Sequence, residues 1–287
     1  MKGFVNISHR SALRHYHAAA GQSAGRIINY YSTSFSWSTR LFPAAIRRDI
    51  QALYAVVRIA DEIVDGAAAE AKTADIRALL DGYEEQVVHA ADAAFHTDPV
   101  LHAWANAQRR CQFSEDHIRA FFASMRRDLD PSPHDAAGLQ RYIHGSAEVI
   151  GLMCLDIFLV GRHPAEEDRA TMADGAKALG AAFQKVNFLR DLAEDTDCLG
   201  RGYLPELDAS TKRRWCAEIR DELARARRAA HLLPPGARRG VLAATGLFTD
   251  LNERIDSASV DELYARRIRV PAPRKAQILA GSLWRNA

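Results

Sequence analysis

The feature that most constrains this chain is a row of oxygen-bearing side chains at helical spacing. Gln184–Asp195 reads QKVNFLRDLAED. On a helix, Asn187, Asp191 and Asp195 recur every four residues and stack on one face, and Gln184, three residues before Asn187, extends the stripe. Val186, Phe188, Leu189 and Leu192 fall elsewhere and can pack on neighbouring helices. A solvated acidic face usually carries Lys or Arg four residues away. Here the row is two amides followed by two carboxylates, a donor set suited to a hard divalent cation such as Mg2+.

A second stretch, Tyr54–Asp65, reads YAVVRIADEIVD. Asp61 and Asp65 are one turn apart, Arg58 precedes Asp61 by three residues, and Tyr54 precedes Arg58 by four, so all four project roughly the same way. Ala55, Val56, Val57, Ile59, Ile63 and Val64 form an apolar body between them. Carboxylates on such a helix are costly to bury unless paired or metal-bound. Two helices of this kind can face each other across a cavity and hold metal ions, which would in turn hold a polyanion such as a diphosphate.

With these motifs in hand the chain resembles the squalene and phytoene synthase family, the head-to-head prenyl transferases. Asp61–Asp65 matches the family's first aspartate motif; Gln184, Asn187, Arg190, Asp191 and Asp195 match its second. YYSTSF at Tyr30–Phe35, YIHGSAEVIG at Tyr142–Gly151 and RGYLP at Arg201–Pro205 add three further matches in the family's order. Two departures stand out. Glu148 replaces a glycine of the Tyr142 helix, and Phe248 falls near an expected tyrosine. Neither removes a metal ligand.

The resemblance implies an all-α isoprenoid-synthase-type bundle of one domain over residues 1–287, with an apolar cavity between two aspartate-rich helices. It implies Mg2+, or Mn2+ in its place, held by Asp61, Asp65, Asn187, Asp191 and Asp195. Ser32, Ser34, Phe35, Arg58, Gln184, Asn187, Arg190, Tyr203 and Arg267 would bind substrate, and the rings of Tyr54 and Tyr142 would stabilise a carbocation. Val149, Ile150, Leu152, Met153 and Phe188 would exclude water. The implied reaction condenses two prenyl diphosphates through a cyclopropylcarbinyl diphosphate. The wording of RIADEIVD and YIHGSAEVIGLM is most similar to bacterial phytoene synthases, so the expected substrate is geranylgeranyl diphosphate, the product phytoene, and NADPH is not expected. Farnesyl diphosphate with a dehydrosqualene or squalene-type product is the alternative. A longer tail also suits Thr39, a small residue one helical turn beyond Phe35. A non-catalytic assembly factor on the same fold is the reading from another class, and retention of all five metal-ligand candidates weighs against it.

The rest of the sequence agrees with a helical enzyme. Helical periods run from Pro43 to about Asp65, then through Ala74–Phe95, a helix opened by Pro99, Ser114–Asp130, Ala137–Val160, Pro164–Asp195, Ala209–Leu233, Gly236–Ser257 and Pro273–Trp284. A net charge of +2 gives no electrostatic case for nucleic acid. The four cysteines form no Cys-x-x-Cys pair and are expected as reduced thiols. Met1–Arg26 lacks acidic residues, faintly like a transit peptide, but is better taken as a first amphipathic helix. The longest apolar run, Val149–Val160, contains Asp156 and is too short to span a bilayer. The expected location is cytoplasmic, with peripheral membrane contact because the substrates are long apolar chains. The sequence does not specify an oligomeric state.

Overall fold

The computed structural model describes residues 9–32, 38–130, 132, 135–192 and 207–284, and among them no strand occurs. Helices α1 (His9–Tyr31), α2 (Ala44–Val64), α3 (Ala67–Glu70), α4 (Ile76–Val88), α5 (Pro99–Cys111) and α6 (Glu115–Asp128) make the first part. Then come α7 (Ala136–Ile143), a π turn (His144–Glu148), α8 (Val149–Phe158), α9 (Glu166–Arg190), α10 (Ala209–Ala230), α11 (Pro235–Ser257), α12 (Val260–Ala265) and α13 (Ala272–Trp284). Several starts are fixed by carboxylate caps. Asp75 accepts from the Ala78 N–H, Asp98 from Val100 and Leu101 with Pro99 behind it, Asp135 from Gly138 and Asp208 from Thr211. Each satisfies donors that a helix N-terminus otherwise leaves open.

Two apolar cores lie on either side of α8. The first gathers α1, α2, α4, α5 and α6, and α8 contributes Val149, Met153 and Ile157 to it. The second gathers α9, α10 and α11 around Val186, Phe188, Leu189, Trp215 and Ile219. A third cluster takes Leu155 and Leu159 from α8 together with Leu233, Ala237 and Val241. A helix that is apolar all round is a central helix, and α8 is one. Helix α2 packs on α1, α5, α4, α6 and α8, whereas α9 packs on α10, α8, the π turn and α11. The two aspartate-bearing helices therefore sit on opposite sides of α8 rather than on each other.

The approach of α8 to α9 depends on two glycines. A Cβ on Gly151 would meet the Ala176 carbonyl, and a Cβ on Gly180 would meet the Ala147 carbonyl. The expected continuous helix Ala137–Val160 is instead interrupted by the π turn, because one extra residue is accommodated where the backbone is pressed between α6 and α9. The short helices α3 and α12 were not anticipated by periodicity. Among the described residues, no helix is long and apolar enough to cross a membrane.

Two outcomes follow from this packing. Gly180→Val is expected to lower stability by about 1–3 kcal/mol through overpacking. Gly82→Ala, at an exposed α4 site with nothing within 4 Å, should raise it by up to about 1 kcal/mol; denaturant melts of both proteins check the pair. Asp156 on α8 is raised to about 6, chiefly by burial, with Arg169 at 3.6 Å opposing the rise. Its folded value lies above its unfolded 3.8, so the folded chain holds the proton longer and stability falls as pH climbs through that window. Melting curves at pH 4 and pH 7 should show a smaller loss for Asp156→Asn than for the parent.

Candidate active site

Helix α2 carries Tyr54, Arg58 and Asp61 half-buried and Asp65 exposed at its C-terminal cap, while Ala55, Val56, Ala60, Ile63 and Val64 beside them are buried. This polar stripe therefore stays accessible between sealed apolar flanks. Ser32 hydrogen-bonds the Tyr54 phenol, whose pKa is raised chiefly by burial. The Arg58 guanidinium lies 4.3 Å over the Tyr31 ring and donates through Nε to Glu62 at 3.0 Å, and its Nη1 stands 3.8 Å from Asp61. Glu62 also accepts from the Ala67 N–H at 3.0 Å, so Arg58 is oriented by a residue that itself anchors the next turn.

Asp61 combines two properties. Its side chain retains 36% of its surface, yet burial is the largest cause of a pKa raised to about 7, with Asp65, Asp128 and Glu62 adding to the rise and Arg58 opposing it. A carboxylate on the wall of a deep cleft has this character: a small probe reaches it, but bulk water does not solvate it.

On α9 the stripe of Gln184, Asn187 and Asp191 is half-buried among buried Lys185, Val186, Phe188 and Leu189. The continuous helix runs to Arg190 and is broken at Asp191, inside the expected Pro164–Asp195 helix, whose residues 193–195 lie outside the described residues. Asp191 is its C-cap and still donates its N–H to the Asn187 carbonyl. Adjacent residues do not face one another on a regular helix. Here the chain leaves helical geometry, and Arg190 folds back to grip Asp191 in two hydrogen bonds of 2.8 and 2.5 Å. Arg267 reaches the same carboxylate at 3.0 Å. Lys275 is lowered by burial and then by Arg269 and Arg190, which places it within this cationic group. Ser34, Phe35, Asp195 and Tyr203 lie outside the described residues.

Asp128 connects the two sides and was missed from the sequence. It is 5% exposed on α6, its charge reaches Asp61, and it accepts a 3.0 Å hydrogen bond from the Tyr142 hydroxyl. The Tyr142 ring in turn lies 6.0 Å from Phe188, next to Asn187. In the sequence Asp128 is one of two aspartates near the end of Ser114–Asp130, and only a tertiary partner distinguishes it. Glu148, the departure noted above, pairs with His144 at 2.9 Å, and Phe248 stacks on Phe183 at 3.6 Å. Among the described residues, no three His, Cys, Asp or Glu side chains converge closely enough to hold a metal by themselves. A separate open cleft of about 480 Å³ is lined by charged Asp250, Arg254, Glu262 and Arg269. Those walls do not suit an apolar chain.

An all-helical bundle with oxygen-bearing stripes on either side of a central apolar helix has the architecture of an isoprenoid synthase. A solved dehydrosqualene synthase in complex with a ligand shares this fold, with a TM-score of 0.78 at 20% identity over 95% of this chain and 98% of that one. The chain belongs to the squalene/phytoene synthase family, whose profile matches residues 28–212. It is similar to a phytoene synthase of Arthrospira platensis, 29% identical over 88% of this chain and 89% of the relative. A 15-cis-phytoene synthase of Synechocystis is also 29% identical, over 87% and 80%. The family's transferases act on prenyl diphosphates.

The Tyr142–Asp128 contact is directly testable. Tyr142→Phe leaves a buried carboxylate without this donor and is expected to cost about 1.5–3 kcal/mol. Urea unfolding of Tyr142→Phe beside the parent measures it.

Proposed function

We propose that this chain condenses two geranylgeranyl diphosphates head to head, through a cyclopropylcarbinyl diphosphate, to phytoene in carotenoid biosynthesis. The observation that carries the reading is the poorly solvated Asp61 beside Asp65 on one side of α8, with Gln184, Asn187 and Asp191 on the other. The similarity of nearly the whole chain to phytoene synthases supports the choice of product.

The donor set fits Mg2+, with Mn2+ as a substitute: every candidate ligand is an oxygen, and the depth of Asp61 favours a neighbouring cation. Magnesium binds through few carboxylates and completes its shell with water and substrate phosphates, so an incomplete protein ligand set suits it. Asp61, Asp65, Asn187 and Asp191, with Asp195, would hold it. When bound it neutralises diphosphate and promotes ionisation of an allylic C–O bond.

The chain's own groups do the rest. Arg58, Arg190 and Arg267 are held near the carboxylates and can exchange a carboxylate partner for a diphosphate oxygen. Asp128 fixes the Tyr142 ring, and Ser32 fixes Tyr54; their π faces can stabilise an allylic cation. Ile150, Leu152 and Phe188 supply apolar surface that keeps water from that cation. The first cation is attacked by the double bond of the second chain, and loss of the second diphosphate, rearrangement and proton loss complete the sequence without NADPH. A dehydrosqualene-type condensation of farnesyl diphosphate is the second reading, favoured by the fold shared with the dehydrosqualene synthase.

Incubating the protein with Mg2+ and either geranylgeranyl or farnesyl diphosphate, without NADPH, tests both readings. Phytoene should predominate when the two substrates compete, and Asp61→Asn or Asp191→Asn should lower turnover by at least about a hundredfold, from loss of a hard-cation ligand. No hydrocarbon from either substrate, or unchanged turnover in both variants at limiting Mg2+, overturns the proposal.

A further inference from the structure

Three turns of the chain meet at one end of the bundle: residues 38–43 before α2, 159–165 between α8 and α9, and 231–234 between α10 and α11. The third apolar cluster ties them together. Phe42 lies 5.4 Å from Phe158, its ring covers Gly240, and Pro43 covers Gly236, with Leu159 and Leu233 buried beneath. Against this floor, Val160 and Leu232 at the tips of their turns are left 44% and 43% exposed.

Around these tips stand exposed Arg40, Arg162, Arg227, Arg228 and Arg239. Among the described residues, none of the last four makes an ion pair. The acids at this end, Glu166, Glu167 and Asp168, occupy the first turn of α9, where the helix dipole already favours them. A chain with a net charge of only +2 thus concentrates unpaired arginines around two exposed apolar turns.

We propose that this end of the bundle docks on an anionic lipid surface, with Val160 and Leu232 entering the interface and the arginines meeting headgroup phosphates. A nucleic acid would engage the arginines but leave both apolar tips without a partner. The position agrees with the chemistry. From Ala44 at this end to Asp61, α2 rises about 25 Å, and α9 starts here and carries Asp191 at its far end. If the proposed function is right, prenyl tails anchored at the carboxylates extend towards the membrane. The docking itself does not depend on that reading.

Flotation with vesicles of phosphatidylcholine, with or without phosphatidylglycerol, tests the proposal in the absence of substrate. The parent should float with anionic vesicles and be released by high salt. The triple variant Arg162→Glu/Arg228→Glu/Arg239→Glu should bind them at least about tenfold more weakly, and Val160→Asp/Leu232→Glu should also lose binding. Leu79→Glu, an exposed apolar site on α4, should bind as the parent does. Thermal melts confirm folding, and the single variant Arg162→Glu serves if the triple variant is unstable. Turnover on detergent-dispersed substrate is read separately, so a wrong function leaves the vesicle result standing. The proposal falls if the parent binds no vesicle, binds neutral vesicles equally, or keeps full binding in the arginine and apolar variants. It also falls if Leu79→Glu abolishes binding, if duplex DNA is preferred to vesicles, or if Leu232→Glu splits a dimer seen by sedimentation velocity.

Discussion

The arrangement depends on how closely α8 can approach α9. Gly151 and Gly180 face opposing backbone carbonyls across that contact, so two helices meet main chain to main chain with no side chain between. With α9 seated this way, the opposite face of α8 is free to fill the first core with Val149, Met153 and Ile157. One apolar helix thereby sets the separation between the aspartates of α2 and those of α9. A bulkier residue at either glycine would push apart the two halves of the site as well as weaken the core.

Across that separation runs a polar connection. Asp128 influences the Asp61 carboxylate electrostatically and holds the Tyr142 hydroxyl, whose ring approaches Phe188. Burying Asp128 is costly in isolation. Here it fixes an aromatic face and adds negative charge beside Asp61. On the far side, Asp191 sits between Arg190 and Arg267. Asp191 is thus held by two close arginines, whereas Asp61 has the single, more distant Arg58 at 3.8 Å, and the two halves of the site begin from different electrostatic states.

Much of this was legible in the sequence, because helical periodicity is strong and local. The helix starting near Pro43, the central apolar segment after Val149, and the stripes Tyr54–Arg58–Asp61 and Gln184–Asn187–Asp191 all follow from spacing and from the contrast between polar rows and apolar flanks. Asp128 and Lys275 were not legible, since each is defined by neighbours remote in sequence. The break in the helix at Asp191 was also hidden: periodicity favours an unbroken turn there, and a side-chain grip between adjacent residues competes with it. The interruption within Ala137–Val160 arises from tertiary pressure on a segment whose composition is compatible with a plain helix.

That interruption gives the segment a rotational phase. Each residue of an α-helix turns the chain by about 100°, and the π turn at His144–Glu148 inserts one residue's worth of rotation between Tyr142 and α8. Tyr142 can therefore face Asp128 while Val149 and Met153 face the first core. A substitution at exposed His144 leaves this phase intact, whereas a Cβ on buried Gly145 would meet the Ala120 carbonyl. Deleting a single residue would restore an unbroken helix and swing the tyrosine about a quarter turn from its partner. Outside Gly145, length rather than residue identity is the quantity this stretch must conserve, and an indel there should cost more than a replacement of exposed His144.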